Sequence, residues 1–346
     1  MRPRRILIIR PDRLGDVVLT TPLIRAVKRS FPDSFVGVMV NPVSGALLKN
    51  NPHIDVIMTD DPNGKDAGKK GFLSLTAKVR SFNFDTGLMP LPRERHAWMM
   101  LLAGIRTRIG VGSKIYQILT GTTTVSRNKY IPLRHEADYV MDLGRKIGVT
   151  TDDLTPELFV TDAERNGARQ FLTAHSFDLD RPIICINPSS NRSAPNWTRE
   201  RYAELCTRLS DTHQLFINIG MPDAKLEAHF APFKERHIVY SGTDLRELIA
   251  LCSFFTLVVS SSTGTMHIAA ALKVPTLSLF CPLTACSPQL WRPLGNPSTT
   301  VLPTEGFCQT RCPGDPKQCT LDDIQVPQII SALGTMVRSS AERGTV

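Results

Sequence analysis

The 346-residue chain has no long hydrophobic run. No apolar stretch approaches the roughly 18 residues that a membrane span requires. The run Phe254-Phe255-Thr256-Leu257-Val258-Val259 has the length of a buried strand instead. Aromatic residues make up only 7% of the chain and do not interleave with the basic ones. With no helix-turn-helix, zinc-finger or RNA-recognition signature, nucleic acid is not an expected partner. Glycine is scarce where nucleotide enzymes concentrate it. The first strand-to-helix loop holds one, Gly15, where the dinucleotide fingerprint needs three. Gly110-Val111-Gly112 lacks the further glycine at the required spacing, and there is no Walker A sequence. These absences argue against a nicotinamide dehydrogenase and a P-loop ATPase. Met1-Arg2-Pro3-Arg4-Arg5 is followed by only four apolar residues, too few for a secretory signal. The expected compartment is therefore the cytoplasm, with the eight cysteines reduced. Cys308, Cys312 and Cys319 are clustered, but zinc would want a fourth ligand and no histidine follows. Free thiols are the expectation.

What is present is an uneven charge. Residues 1–150 hold 24 Lys and Arg against 12 Asp and Glu, whereas the remainder holds 17 against 20. The excess positive charge thus belongs to the N-terminal part. It is either a solvated basic surface or the footprint of an anionic partner, such as a membrane surface or a phosphorylated acceptor.

The length suits two domains, each with its own core. Apolar strand-like runs alternate with helix-like segments throughout. In the first half, strands are expected over 5–9, 36–40, 56–59 and 86–89, with helices near 16–30, 44–50, 74–81 and 97–103. In the second half, strands are expected over 183–187, 215–219, 238–240, 255–259 and 276–280. The helices between them fall near 198–209, 222–230, 244–251 and 265–272. Thr198 and Asp244 are placed to cap two of these, and Pro275 to stop the last. Such alternation means α/β architecture with two parallel, Rossmann-like sheets. The expected domains are 1–174 and 182–322, with a linker near 175–181 and a C-terminal helix within 323–346.

The stretch Arg10-Pro11-Asp12-Arg13-Leu14-Gly15-Asp16 follows the first strand and opens the first helix. In open α/β sheets this crevice is where ligands bind. Asp16 is there either as a helix cap or as a catalytic base. Arg13 is either a solvated surface charge or a contact for an acceptor phosphate or carboxylate. In the second half, two loops suit phosphate. One is Pro188-Ser189-Ser190-Asn191-Arg192-Ser193-Ala194-Pro195-Asn196-Trp197, rich in hydroxyl and amide groups and carrying one arginine. The other is Ser260-Ser261-Ser262-Thr263-Gly264-Thr265-Met266-His267, where a helix starts on hydroxyls and a glycine. Free N–H groups and the helix dipole make that start an anion site. Ordinary N-capping by Ser262 or Thr263 is the competing reading. His267 is either a packing residue or a hydrogen-bond donor to a leaving phosphate. Trp291, in Ser287-Pro288-Gln289-Leu290-Trp291-Arg292-Pro293-Leu294-Gly295, either covers a nucleotide base or packs under a proline-rich turn.

Taken in order, Arg10–Asp16 with Thr20-Thr21-Pro22, the run Ala103–Gly110, the loop Ser193–Trp197, Ser261–Ala271 and Ser287–Gly295 resemble glycosyltransferase family 9. This is the family of bacterial lipopolysaccharide heptosyltransferases. The resemblance covers nearly the whole chain. It implies a GT-B fold, two Rossmann-like domains facing across a cleft, with the C-terminal helix packing back on the first domain. It also implies an N-terminal domain for a phosphorylated glycolipid acceptor and a C-terminal domain for a sugar nucleotide, typically ADP-heptose. Transfer would invert the anomeric carbon with no metal or other cofactor. A peripheral position at the inner face of the cytoplasmic membrane follows, with Arg2, Arg4 and Arg5 as a candidate contact.

By position, Asp16 matches the family's catalytic aspartate, and Thr263, Gly264 and His267 match its donor-phosphate motif. Ser189, Ser190, Arg192, Ser262 and Thr265 complete the expected donor site, and Arg13 and Gly15 the acceptor side. Two positions depart from the best-known heptosyltransferases. Ser262 replaces an acidic residue, and Pro195 replaces a lysine that balances donor charge. Arg192 is the candidate replacement for that positive charge. In the mechanism expected, Asp16 is the general base, while Arg192, His267 and the N–H groups near Gly264 stabilise the leaving diphosphate. Two other readings stand beside transfer: a GT-B sugar-nucleotide epimerase, and a non-catalytic sugar-nucleotide-binding relative.

Overall fold

The computed structural model describes residues 3–190 and 194–343. They form two compact units, Met1–Phe159 and Val160–Val346. Strands β1 (Arg5–Ile9), β2 (Phe35–Val40), β3 (Val56–Thr59), β4 (Thr86–Met89), β5 (Thr107–Val111) and β6 (Thr123–Val125) build the first sheet. Its helices are α1 (Leu14–Val18), α2 (Thr21–Ser30), α3 (Gly68–Ser81), α4 (Glu94–Leu102), α5 (Ile115–Leu119) and α6 (Glu136–Arg145). The second unit opens with α7 (Asp162–Ala174). It continues with β7 (Ile183–Asn187), α8 (Arg199–Leu209), β8 (Gln214–Gly220), α9 (Ala224–Phe230), β9 (Ile238–Ser241) and α10 (Leu245–Cys252). Then come β10 (Leu257–Ser261), α11 (Gly264–Ala271), β11 (Thr276–Leu279), α12 (Pro288–Trp291), β12 (Ser298–Val301), α13 (Phe307–Arg311) and α14 (Val326–Arg343).

The sheets run β3-β2-β1-β4-β5-β6 and β12-β11-β10-β7-β8-β9, with every described pair parallel. Read from its own first strand, each is the Rossmann order, 3-2-1-4-5-6. Helices cover both faces of such sheets, so the central strands are apolar on both sides. In β1, Ile6, Leu7, Ile8 and Ile9 are all buried. Leu7 and Ile9 share one core with Met39, Met58 and Met89 and with Leu75 and Val79 of α3 and Met99 and Met100 of α4. In the second unit, Ile184, Ile186, Ile217, Val259 and Leu277 pack with Tyr202, Leu205 and Leu209 of α8.

Several expectations change in detail. The helix expected over 16–30 is two helices, because Pro22 cannot donate a backbone hydrogen bond and restarts the chain as α2. The segment expected as a helix at 44–50 is a tighter turn, Ser44–Leu48. β5, β6 and β12 carry few apolar residues and were not apparent from sequence. Their exposed or half-buried threonines reflect positions toward the sheet edges. The first unit ends at Phe159, not at residue 174. Helix α7 belongs to the second unit, where Arg246 of α10 reaches Glu164 through Nε (2.8 Å) and Nη2 (2.6 Å). The C-terminal helix buries Ile329, Leu333 and Met336 in the second unit's core. Trp197 Nε1 and Arg201 Nη1 both donate to the Ile324 carbonyl just ahead of it (3.1 and 2.6 Å). Among the described residues no helix is long and apolar enough to cross a membrane.

The hydrogen bonds from Arg246 hold the Glu164 carboxyl down to about 2, against an opposing effect of burial. A depressed acid stabilises the fold above its unfolded pKa and loses that contribution as pH falls toward the folded value. Glu164→Gln should therefore cost about 1–2 kcal/mol at pH 7. The gap from wild type should close as pH drops from about 4.5 toward 2. Denaturant titrations at pH 7 and pH 3.5 check this.

Candidate functional site

In the first unit the site begins where β1 ends. Arg10 is the residue after the strand and is 2% exposed. Burying a guanidinium is costly unless carboxylates surround it, and three do. Its Nε lies 2.8 Å from Asp12 Oδ1, and its Nη2 lies 2.5 Å from Asp16 Oδ1 and 3.1 Å from Glu136 Oε1. Glu136, at the start of α6, is itself gripped by Arg127 through two bonds of 2.9 Å. The cluster therefore holds three carboxylates against two guanidiniums. Burial works against the charge on Arg10, but Asp12, Asp16 and Glu136 outweigh it and push its pKa above the ordinary arginine range. Burial pushes the Asp12 carboxyl up to about 6, Arg10 opposes that shift, and Asp16 adds to it.

Asp16 does not cap its helix. The N-cap of α1 is Arg13, and Asp16 is the third helical residue. Its carboxylate turns to Arg10 and its backbone carbonyl accepts from the Thr20 hydroxyl (2.8 Å). The capping explanation for this acid is thereby removed. β1 and β4 are neighbours at the point where the strand order reverses, so the Arg10–Asp16 loop occupies the crevice that α/β sheets use for ligands.

In the second unit the equivalent reversal lies at β7 and β10, where Asn187 is level with Ser260. A neutral polar network fills it. Asn187 Nδ2 donates to the Ser189 carbonyl (3.0 Å), Ser260 Oγ (3.3 Å) and Thr263 Oγ1 (3.4 Å). Asn218 Nδ2 donates to Asn187 Oδ1 (2.7 Å) and Thr265 Oγ1 (3.4 Å). Ser260 and Thr263 hydroxyls pair at 2.8 Å. Behind them, Tyr202 bonds Asn196 Oδ1 (3.0 Å) and the Ser261 hydroxyl (3.1 Å). Burial, partly offset by Ser261, pushes the Tyr202 phenol up to about 12. Thr263 is the N-cap of α11 by backbone position, but its side chain makes no capping bond. It is turned to Ser260 and Asn187, so it leaves the N–H groups of the first turn to other acceptors.

Expected residues thus fall in two places. Gly15 and Asp16 lie in the first turn of α1, and the exposed Arg13 is its N-cap. Half-buried Ser189, Ser190, Ser262, Thr263, Gly264 and Thr265, with buried His267, gather at the second unit's loops. Arg192, like Arg2, lies outside the described residues. The strand expected over 255–259 runs two residues further, so Ser260 and Ser261 are buried strand residues. Sequence reasoning missed Glu136 and Arg127, which are remote in sequence from Asp16, and Asn187 and Asn218, polar residues within or ending apolar strands. A buried amide in an apolar strand was the available signal for the last two. Trp291 Nε1 donates to the Ala285 carbonyl within its own turn (2.9 Å). Cys308, Cys312 and Cys319 line a cavity together with Cys281, whose thiol burial pushes up to about 11. Among the described residues no three metal-ligating side chains are gathered closely enough to hold an ion.

Twin Rossmann units with a carboxylate loop in one and an anion-type helix start in the other define a protein of GT-B architecture. Similar proteins narrow the class. The profile of glycosyltransferase family 9 (heptosyltransferase) matches residues 72–319, and the chain belongs to that family and is a glycosyltransferase. The lipopolysaccharide core heptosyltransferase OpsX of Haemophilus influenzae is 26% identical over 291 residues, covering 80% of this chain and 79% of that protein. Among solved structures, a glycosyl transferase family 9 protein from Veillonella parvula superposes with a TM-score of 0.81 at 20% identity, covering 97% of both chains. The E. coli ADP-heptose lipopolysaccharide heptosyltransferase II gives 0.77 at 22% identity, covering 97% of this chain and 99% of the other. These two likenesses establish the shared fold.

Removing Arg10 would leave Glu136 with Arg127 and strip Asp12 and Asp16 of their buried cation. Arg10→Met should cost about 3–5 kcal/mol at pH 7. Without the cation Asp12, already pushed up to about 6 by burial, takes up a proton more readily in the folded state, so the penalty should shrink as pH is lowered to about 5. Urea denaturation of both proteins at the two pH values measures it. A penalty independent of pH would rule out the electrostatic account.

Proposed function

We propose that this glycosyltransferase moves heptose or a related sugar from a nucleotide-diphosphate donor, ADP-heptose in the first instance, to an anionic lipopolysaccharide-core acceptor. The relatives named above support this reading: one is described as a lipopolysaccharide core heptosyltransferase and another as an ADP-heptose enzyme. The observation that carries it is the state of Asp16, an acid fixed by a buried arginine rather than engaged as a helix cap.

Transfer from a glycosyl diphosphate makes two demands. The acceptor hydroxyl must lose a proton as its oxygen bonds to the anomeric carbon, and the departing diphosphate must have its charge stabilised. Asp16 meets the first as general base. Arg10 anchors Oδ1, which directs the carboxylate and leaves the other oxygen for the proton. The second demand falls on the α11 N–H groups, Thr263, Thr265 and His267, with Ser189, Ser190 and Ser262, and with Arg192 as the proposed source of positive charge. Attack by the hydroxyl opposite the leaving diphosphate inverts the anomeric carbon in one displacement. It calls for no protein nucleophile and, in this proposal, no metal. Arg13 and Gly15 contact the acceptor. The reaction is assigned to the cytoplasmic side of the inner membrane, where the enzyme sits peripherally.

Asp16→Asn should keep nucleotide affinity within about twofold while turnover falls by about 10²–10⁴. Calorimetry with ADP, UDP and GDP, alongside nucleoside diphosphate release with and without glycolipid, reads both. Release should require the acceptor, and ADP should bind most tightly. A variant with near wild-type turnover would exclude Asp16 as the base.

A further inference from the structure

Helix α5 is built inside out. Its outward residues are Ile115, Ile118 and Leu119, which are 77%, 77% and 65% exposed. They stand at i, i+3 and i+4 and therefore share one face. The residue it buries is polar. Gln117 is fully enclosed, donates from Nε2 to the Val111 carbonyl (2.9 Å) and accepts at Oε1 from the Lys114 N–H (2.8 Å), while its carbonyl accepts from Thr122 N (2.7 Å). Tyr116 packs against the core of the first unit. This anchoring fixes the helix with its apolar face toward solvent, a costly arrangement unless something covers it.

The neighbouring surface extends the face. α4 packs on α5 and ends at Leu102, 45% exposed. One turn earlier on α4 is Trp98, half-buried, with Nε1 bonded to Glu94 (3.2 Å). The charge along this stretch of chain is mainly positive. Between residues 93 and 121 there are five Lys and Arg and one acidic residue, Glu94. Arg95 is engaged by Asp60, and Arg108 by the Thr120 carbonyl. Arg93, Arg106 and Lys114 are exposed, and Lys114 immediately precedes Ile115.

We propose that this face, Ile115, Ile118 and Leu119 with Leu102 and the rim of Arg93, Arg106 and Lys114, docks the enzyme on an anionic lipid bilayer. Apolar side chains enter the headgroup boundary while the basic rim meets lipid phosphates, the combination that reversible interfacial binding requires. Trp98 suits the same boundary, apolar in body and polar at its N–H. The inference rests on the proposed glycolipid acceptor only for its purpose. The surface itself is independent of which sugar is moved.

The test is sedimentation of the full chain with vesicles of phosphatidylethanolamine and phosphatidylglycerol, without acceptor or nucleotide. Phosphatidylcholine vesicles serve as the comparison. The wild type should bind the anionic vesicles and be released by high salt. Ile118→Ser with Leu119→Ser should weaken binding by about tenfold or more, and Lys114→Glu should weaken it on anionic vesicles alone. Both variants should keep wild-type melting temperature and ADP affinity, since the altered side chains are exposed. Three results would overturn the proposal: no vesicle binding by the wild type, undiminished binding by the double variant, or a wild-type dimer that the double variant dissolves. Loss of transfer with vesicle binding intact would instead count against the proposed reaction.

Discussion

The structure of the first unit's site depends on one buried guanidinium. Arg10 joins two acids of its own loop to Glu136, which lies 126 positions further along the chain. An isolated charge at that depth would be untenable. Its three carboxylates repay the loss of water only if the loop, α1 and the start of α6 are held in one geometry. The same constraint thus shapes the fold and aims Asp16. Arginine is suited to this hub because its planar fork can serve several acceptors at once and stays charged. A lysine would offer one point charge to three partners. Glu136 is in turn secured by the bidentate grip of Arg127.

The two units solve one topological problem with different chemistry. Both have the same strand order, and both place polar residues where that order reverses. The first unit fills the crevice with full charges and a carboxylate surplus, and the second with amides and hydroxyls. A neutral network suits an anionic ligand. Oriented dipoles attract an anion without needing a counter-charge to be desolvated. Asn187 is central because its amide joins the Ser189 turn after β7 to Ser260 on β10 and Thr263 at the head of α11.

Much of this was legible in the sequence because it is written locally. β1 and β7 are continuous apolar runs, as strands buried on both faces must be. Arg10–Asp16 announced its loop by position after such a run. Three things were not local. Short strands near the edges, such as Thr123-Thr124-Val125, bury too little to show an apolar pattern. That Asp16 pairs with Arg10 and does not cap α1 depended on Glu136 and Arg10 closing a cluster that no spacing rule connects. The unit boundary depended on α7 packing against α10, a contact that includes the Glu164–Arg246 pair. Even so, Thr161 and Glu164 have capping-box spacing and form that box, a local mark of the α7 start.

The charge asymmetry acquires a location once ion pairs are subtracted. Many acids of the first unit are spent internally: Asp12, Asp16 and Glu136 on Arg10 and Arg127, Asp60 on Arg95, Asp138 and Asp142 on Arg134 and Arg145. Arg25 is matched by Asp153 and Glu157. What remains is carried by exposed side chains such as Lys69, Lys70, Arg93, Arg106 and Lys114. Screening limits each of these to a reach of about 8–10 Å. A net charge therefore acts on a partner only where its unpaired members cluster, and Arg93, Arg106 and Lys114 belong to the same stretch of chain, 93–121, as the outward apolar residues of α5.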